Sequence, residues 1–97
     1  MPRLNDWAYV REPSNSAEQH AAPEAIHPRL RGVCTGHVAH ADGTRVKTGT
    51  VVGRLGDLVV TAGGTKWELG DPEAAYEAAV PEARKRLLEA LPSVALV

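Results

Sequence analysis

Phenylalanine is absent from this 97-residue chain, and Trp7, Trp67, Tyr9 and Tyr76 are its only aromatic residues other than histidine. Large rings supply the most buried area per side chain, so the core must be built from Val, Leu and Ala around one or two tryptophans. A single cysteine, Cys34, excludes an intrachain disulfide and fits a reducing compartment. No apolar run approaches the roughly 20 residues that span a bilayer. The opening MPRLNDWAYV has no apolar stretch of the kind a secretory leader uses, so the expected location is cytoplasmic. An excess of one charge is also lacking: 11 Lys and Arg stand against 12 Asp and Glu, for a formal net charge of −1. That balance argues against wholesale polyanion binding.

Recognisable catalytic signatures are missing too. There is no G-x-S-x-G elbow, H-E-x-x-H pair, G-x-x-x-x-G-K-[ST] loop or G-x-G-x-x-G ahead of a helix. Gly63-Gly64-Thr65-Lys66 faintly resembles a phosphate loop but joins two strand patterns, where a phosphate loop needs a strand and a helix. The expectation is a protein that is not an enzyme and needs no cofactor.

What is present reads as one domain of α+β class, mainly β. The expected form is a four-stranded, or five-stranded, antiparallel twisted meander or small SH3-like barrel with a C-terminal helix. Residues 1–28 read as an N-terminal arm with a docked Trp7 segment, and 29–97 as the meander plus helix. The stretch from 11 to 28 is rich in Pro, Ser, Ala and charge, with a short helical turn expected at Glu24–Ile26. From Leu30 the alternation puts Leu30, Gly32, Cys34, Gly36 and Val38 on a core face, and Val46, Thr48, Thr50 and Val52 on the core face of the next strand.

Turn chemistry then sets the registers. A three-residue loop, Ala41-Asp42-Gly43, pairs Val38 with Val46 and Cys34 with Thr50. A two-residue Gly63-Gly64 loop pairs Val60 with Trp67 and Leu58 with Leu69. Gly53–Asp57 is a turn by composition. Asp71 is the expected N-cap of a helix with Pro72 at its first position. Tyr76, Val80, Ala83, Leu87 and Leu91 recur at helical spacing, Pro81 should kink or restart the helix, and Pro92 should end it. The apolar tail Ser93–Val97 is expected either to cover an open edge of its own sheet as a fifth strand or to add to a sister subunit. The small core tips that expectation towards a homodimer.

Three features bear on function. Cys34, His37, His40 and Asp42 are residue types that suit zinc, but on a strand Cys34 and His40 face opposite to His37, so no metal site is expected. The threonines Thr48, Thr50, Thr61 and Thr65 could meet a ligand, yet β-branched residues fill pleated surfaces for packing reasons alone. The third feature is charge. From Arg29 to Arg54 the chain carries Arg29, Arg31, Arg45, Lys47 and Arg54 against Asp42 alone. Arg31, His37, Arg45, Lys47, Arg54 and Lys66 are therefore the candidate partner-binding residues. They form a basic strand face suited to an acidic protein surface or a phosphate backbone, and the plain alternative is a solvated face that discourages edge aggregation.

The strings GHVAHADGTRVKTGTVV and VVTAGGTKWELGDP resemble short uncharacterised proteins of phages, prophages and other bacterial mobile elements. Those read G-H-x-x-x-x-D-G-x-x-V-x-T-S-x-V, then V-x-T-x-x-G-x-x-Y-x-L-G. The similarity covers Gly36–Pro72, with Gly49 where serine is common and Trp67 where tyrosine is common. The resemblance implies an accessory protein that binds and blocks a host component, as anti-CRISPR inhibitors of host defence complexes do. The expected partner is a host protein or complex, with no membrane role. The alternative function is a nucleic-acid-binding module using the basic strand face, and a third class, resting on the Cys/His cluster alone, is a metal-dependent enzyme.

Overall fold

The computed structural model describes residues 1–11 and 27–94. The segment 12–26, including the expected turn at 24–26, and the last three residues lie outside the described part. Five strands, β1 (Arg3–Val10), β2 (Arg29–Thr35), β3 (Thr44–Leu55), β4 (Leu58–Thr61) and β5 (Lys66–Leu69), precede two short helices, α1 (Ala74–Ala79) and α2 (Ala83–Ala90). They make one mainly antiparallel sheet in the order β1-β2-β3-β4-β5. The sheet closes on itself only through a short parallel seam, Arg3 opposite Glu68 and Leu4 opposite Leu69. The Trp7 segment is thus a strand of the sheet. The fifth strand comes from the N-terminus and not from the tail.

The inner face is the one the alternation of β2 predicts. Leu30, Gly32 and Cys34 are buried, while Arg31, Val33 and Thr35 are half-exposed. Leu4, Trp7, Leu30, Cys34, Val51, Val59, Trp67 and Leu69 form the core with Ala83 and Leu87 of α2. Trp7 is fully buried, and its indole N–H donates to the Gly70 carbonyl at 2.9 Å, satisfying the one polar atom that burial would strand.

Both hairpin registers differ from the expected ones. β2 stops at Thr35, so Cys34 pairs with Thr44 and Gly32 with Val46, and not Cys34 with Thr50 or Val38 with Val46. Local bonds outcompete the ladder here: Asp42 Oδ1 accepts from the Gly36 N–H at 2.9 Å, and the Gly43 N–H donates to the Cys34 carbonyl at 2.9 Å. Val38, expected inside, is fully exposed. In the second hairpin Val59 pairs with Trp67 and Leu58 with Glu68. The loop is Ala62-Gly63-Gly64, closed by the Thr61 N–H on the Thr65 carbonyl at 3.0 Å, with Gly64 at φ +88°. The extra loop residue rotates β4, so Val59 and Thr61 share the inner face with Trp67. A register shift in the β2–β3 ladder, between the Arg31–Lys47 and Arg29–Thr50 pairs, flips β3 as well. Val51 is buried and Val52 is 45% exposed, the reverse of the expected phase.

The helix divides at Pro81, the second of the two outcomes expected there. Glu73 and not Asp71 is the N-cap of α1, without a side-chain cap bond. Beyond α2 the chain returns to β3: the Arg54 N–H donates to the Pro92 carbonyl at 2.9 Å and the Val94 N–H to the Arg54 carbonyl at 2.8 Å.

Candidate functional site

β2 and β3 bring three of the candidate cations together. Arg31 stands opposite Lys47, and Val33 opposite Arg45, so Arg31, Arg45 and Lys47 occupy neighbouring outward positions. They line a groove of about 230 Å³ with Asp6, Gly32, Val46 and Glu73. Arg31 Nη2 lies 3.6 Å from Glu73 Oε1, and both side chains are partly exposed. Arg29 begins the same strand and is half-buried, its guanidinium donating to the Thr48 carbonyl at 3.4 Å.

The other bank of the groove comes from β1. Its ladder with β2 skips between Asn5 and Ala8, and Asp6 sits in the skip with φ 48°. A bulge of this kind re-aims side chains, and it requires Gly32 on the facing strand. A Cβ there would lie 2.6 Å from the Asn5 carbonyl oxygen and 3.1 Å from Trp7 Cα. The Glu73 N–H donates to the Trp7 carbonyl at 2.8 Å, which fixes the start of α1 to the same bulge.

The remaining candidates lie elsewhere. Arg54 is at the opposite end of β3, up to about 30 Å from Arg45 along an extended strand, and its Nη1 donates to the Gly56 carbonyl at 3.3 Å. Lys66 lies on β5 opposite Val60, separated from β2 by β1 in the closing direction. His37 leaves the basic face: its ring stacks on Trp67 with centroids 5.5 Å apart, and its Nδ1 accepts from the Ala39 N–H at 2.9 Å. His40 lies against His37 at 4.7 Å. Cys34 is fully buried with its thiol 3.8 Å from the Ala41 carbonyl oxygen. Among the described residues no group of three His, Cys, Asp or Glu side chains is disposed to hold a metal ion.

Two of the threonines, Thr48 and Thr61, make side-chain hydrogen bonds to backbone groups. The buried Thr48 hydroxyl accepts from the Leu30 N–H at 3.1 Å and donates to the Gly49 carbonyl at 2.9 Å. Two larger clefts exist, but their principal cations are engaged. Arg84 lines both and donates to the Gly70 carbonyl at 2.5 Å. Arg3, in the second, pairs with Glu68 at 2.5 Å.

Sequence reasoning missed Asp6, Gly32 and Glu73 as groove residues. Asn5-Asp6 between the apolar Leu4 and Trp7 is a turn-type pair inside a strand pattern, the one signal that marks the bulge. Glu73 carried only the signature of a helix start. No family model matches the chain, and no curated protein or solved structure is significantly similar to it.

Proposed function

We propose that this chain is a non-enzymatic protein–protein interaction module whose outer β2–β3 face receives an acidic segment of a partner protein. The observation that carries the reading is the convergence of Arg31, Arg45 and Lys47 on one groove. Two carboxylates, Asp6 and Glu73, line the same groove. They would repel a continuous phosphate backbone, whereas a protein surface can place a cation against them. Both tryptophans are buried, which leaves no indole platform for stacking bases. This favours a protein over a nucleic-acid partner. The finer parts of the reading rest on the resemblance and the topology. We read the closed five-strand sheet as a small SH3-like barrel, and the protein as a cytoplasmic accessory factor of a mobile element that blocks a host defence complex.

The test is a titration of 15N-labelled full chain with an all-acidic peptide and, separately, with a 20-base-pair DNA duplex. The peptide is expected to shift the amides of Arg31, Arg45 and Lys47, with an affinity that falls as salt screens the groove. Reversing the three residues together to Glu should abolish those shifts while leaving Tm nearly unchanged, because exposed charges contribute little to folding. DNA binding tighter than peptide binding at the same residues would replace this reading with the nucleic-acid one.

A further inference from the structure

The groove is not uniformly basic, and its charges are sorted by strand. β1 borders β2 and β2 borders β3. Asp6 comes from β1, Arg31 from β2 between the banks, and Arg45 and Lys47 from β3. Glu73 is tied to the β1 side by its backbone bond to the Trp7 carbonyl. One bank is therefore anionic, with Glu73 already 3.6 Å from Arg31 Nη2, and the other cationic.

The anionic bank is a built feature. Asp6 adopts a left-handed backbone at φ 48°, a conformation that a non-glycine residue keeps only when its surroundings impose it. The bulge that holds it depends on Gly32, where any side chain would meet the β1 backbone. An aspartate is among the few residues that tolerate this conformation, and here its side chain is delivered to the groove wall.

We infer that the groove selects a mixed-charge segment, placing an acidic side chain of the partner against Arg45 and Lys47 and a basic one against Asp6 and Glu73. Asp6 and Glu73 are then the specificity-determining residues of the interface. This rests on the acidic-partner reading above and narrows it, because a purely acidic segment would gain the cationic bank and be repelled by the other. Discrimination of this kind uses repulsion as well as attraction.

Two extended seven-residue peptides separate the possibilities, one with Glu at every second position and one with a central Lys replacing one Glu. Each is titrated into the full chain and into Asp6→Asn and Glu73→Gln. Asn accepts the left-handed backbone, so Asp6→Asn keeps the bulge, and Glu73→Gln decides the matter should the first variant fold poorly. Both variants are expected to bind the mixed peptide about two- to fivefold more weakly, the scale of an exposed charge pair, and the all-acidic peptide equally well or more tightly. Unchanged or tighter binding of the mixed peptide, or weaker binding of both, overturns the two-bank reading while the acidic-partner reading stands. If the native chain binds neither peptide, both readings fall.

Discussion

A missing methyl group decides the geometry of the candidate site. Gly32 → Ala would place a Cβ 2.6 Å from the Asn5 carbonyl oxygen and 2.9 Å from Leu4 Cγ. The first neighbour is backbone and cannot rotate away, so the β1 bulge must shift. The expected loss is about 1–3 kcal/mol, the usual scale of overpacking, read from urea denaturation. Val46→Ala on the facing strand, whose side chain is only half-buried, should cost less. Equal costs at the two positions would show that the bulge relaxes freely. Legibility in the sequence divides at this scale. Trp7 and Trp67 read as core because nothing else in the chain offers comparable apolar area, and both are buried. Val51 and Val52 are chemically identical, and only the register slip in β3, a backbone event without a side-chain signature, decides which one faces inward.

Turns were legible as elements, while their phase was not. Asp42-Gly43 and Gly63-Gly64 each mark a real reversal, and the turn expected over Gly53–Asp57 narrows to Gly56-Asp57 because Gly53, Arg54 and Leu55 pair with β4, but whether a loop has two or three residues turns on bonds that composition does not reveal. The helix break at Pro81 was legible because proline lacks the required donor. The contact between β1 and α1 was not, since it joins residues far apart in sequence. It places Trp7 and Tyr76 rings 5.9 Å apart and leaves Tyr9 and Tyr76 half-buried. Burial raises both phenol pKa values above the ordinary 10.0. For Tyr9 the Arg11 charge opposes this and Tyr76 adds to it, and for Tyr76 a backbone hydrogen bond from Tyr9 opposes it. A raised folded pKa means that the unfolded chain releases these protons first. The contribution to stability is therefore complete below about pH 10 and declines as pH rises through the folded values. Thermal melts across that range should show Tm falling above about pH 10, and the fall should be shallower in a Tyr9→Phe, Tyr76→Phe double variant. An identical alkaline slope in both proteins would assign it to other groups.

For the molecule as a whole, the far end of β3 is a strand edge to be managed. β3 is twelve residues long, and β2 begins at Arg29 opposite Thr50, so the end of β3 runs on beyond its neighbour. The Pro28 carbonyl accepts from the Val51 N–H at 2.9 Å, and Pro92–Val94 take both backbone groups of Arg54. Gly53 makes room for this return: a Cβ there would collide with Val94 Cγ2 and lie 2.7 Å from the Pro92 carbonyl oxygen. An uncovered strand edge is a template for another chain, so the strap acts as a guard in the same molecule. From the sequence alone the small core tipped the expectation towards a sister subunit. With Pro92–Val94 on their own β3, the full chain is expected to be monomeric by light scattering at several concentrations. A version ending at Leu91 gives up two backbone hydrogen bonds, each worth about 1 kcal/mol net, and exposes the Arg54 edge. It should melt at lower temperature and associate as concentration rises. Gly53→Val should reproduce both effects in the full-length chain by displacing Val94. A full-length dimer that becomes monomeric on truncation would instead show the tail engaged between subunits. A truncated chain that stays monomeric with unchanged Tm would show that the strap guards nothing.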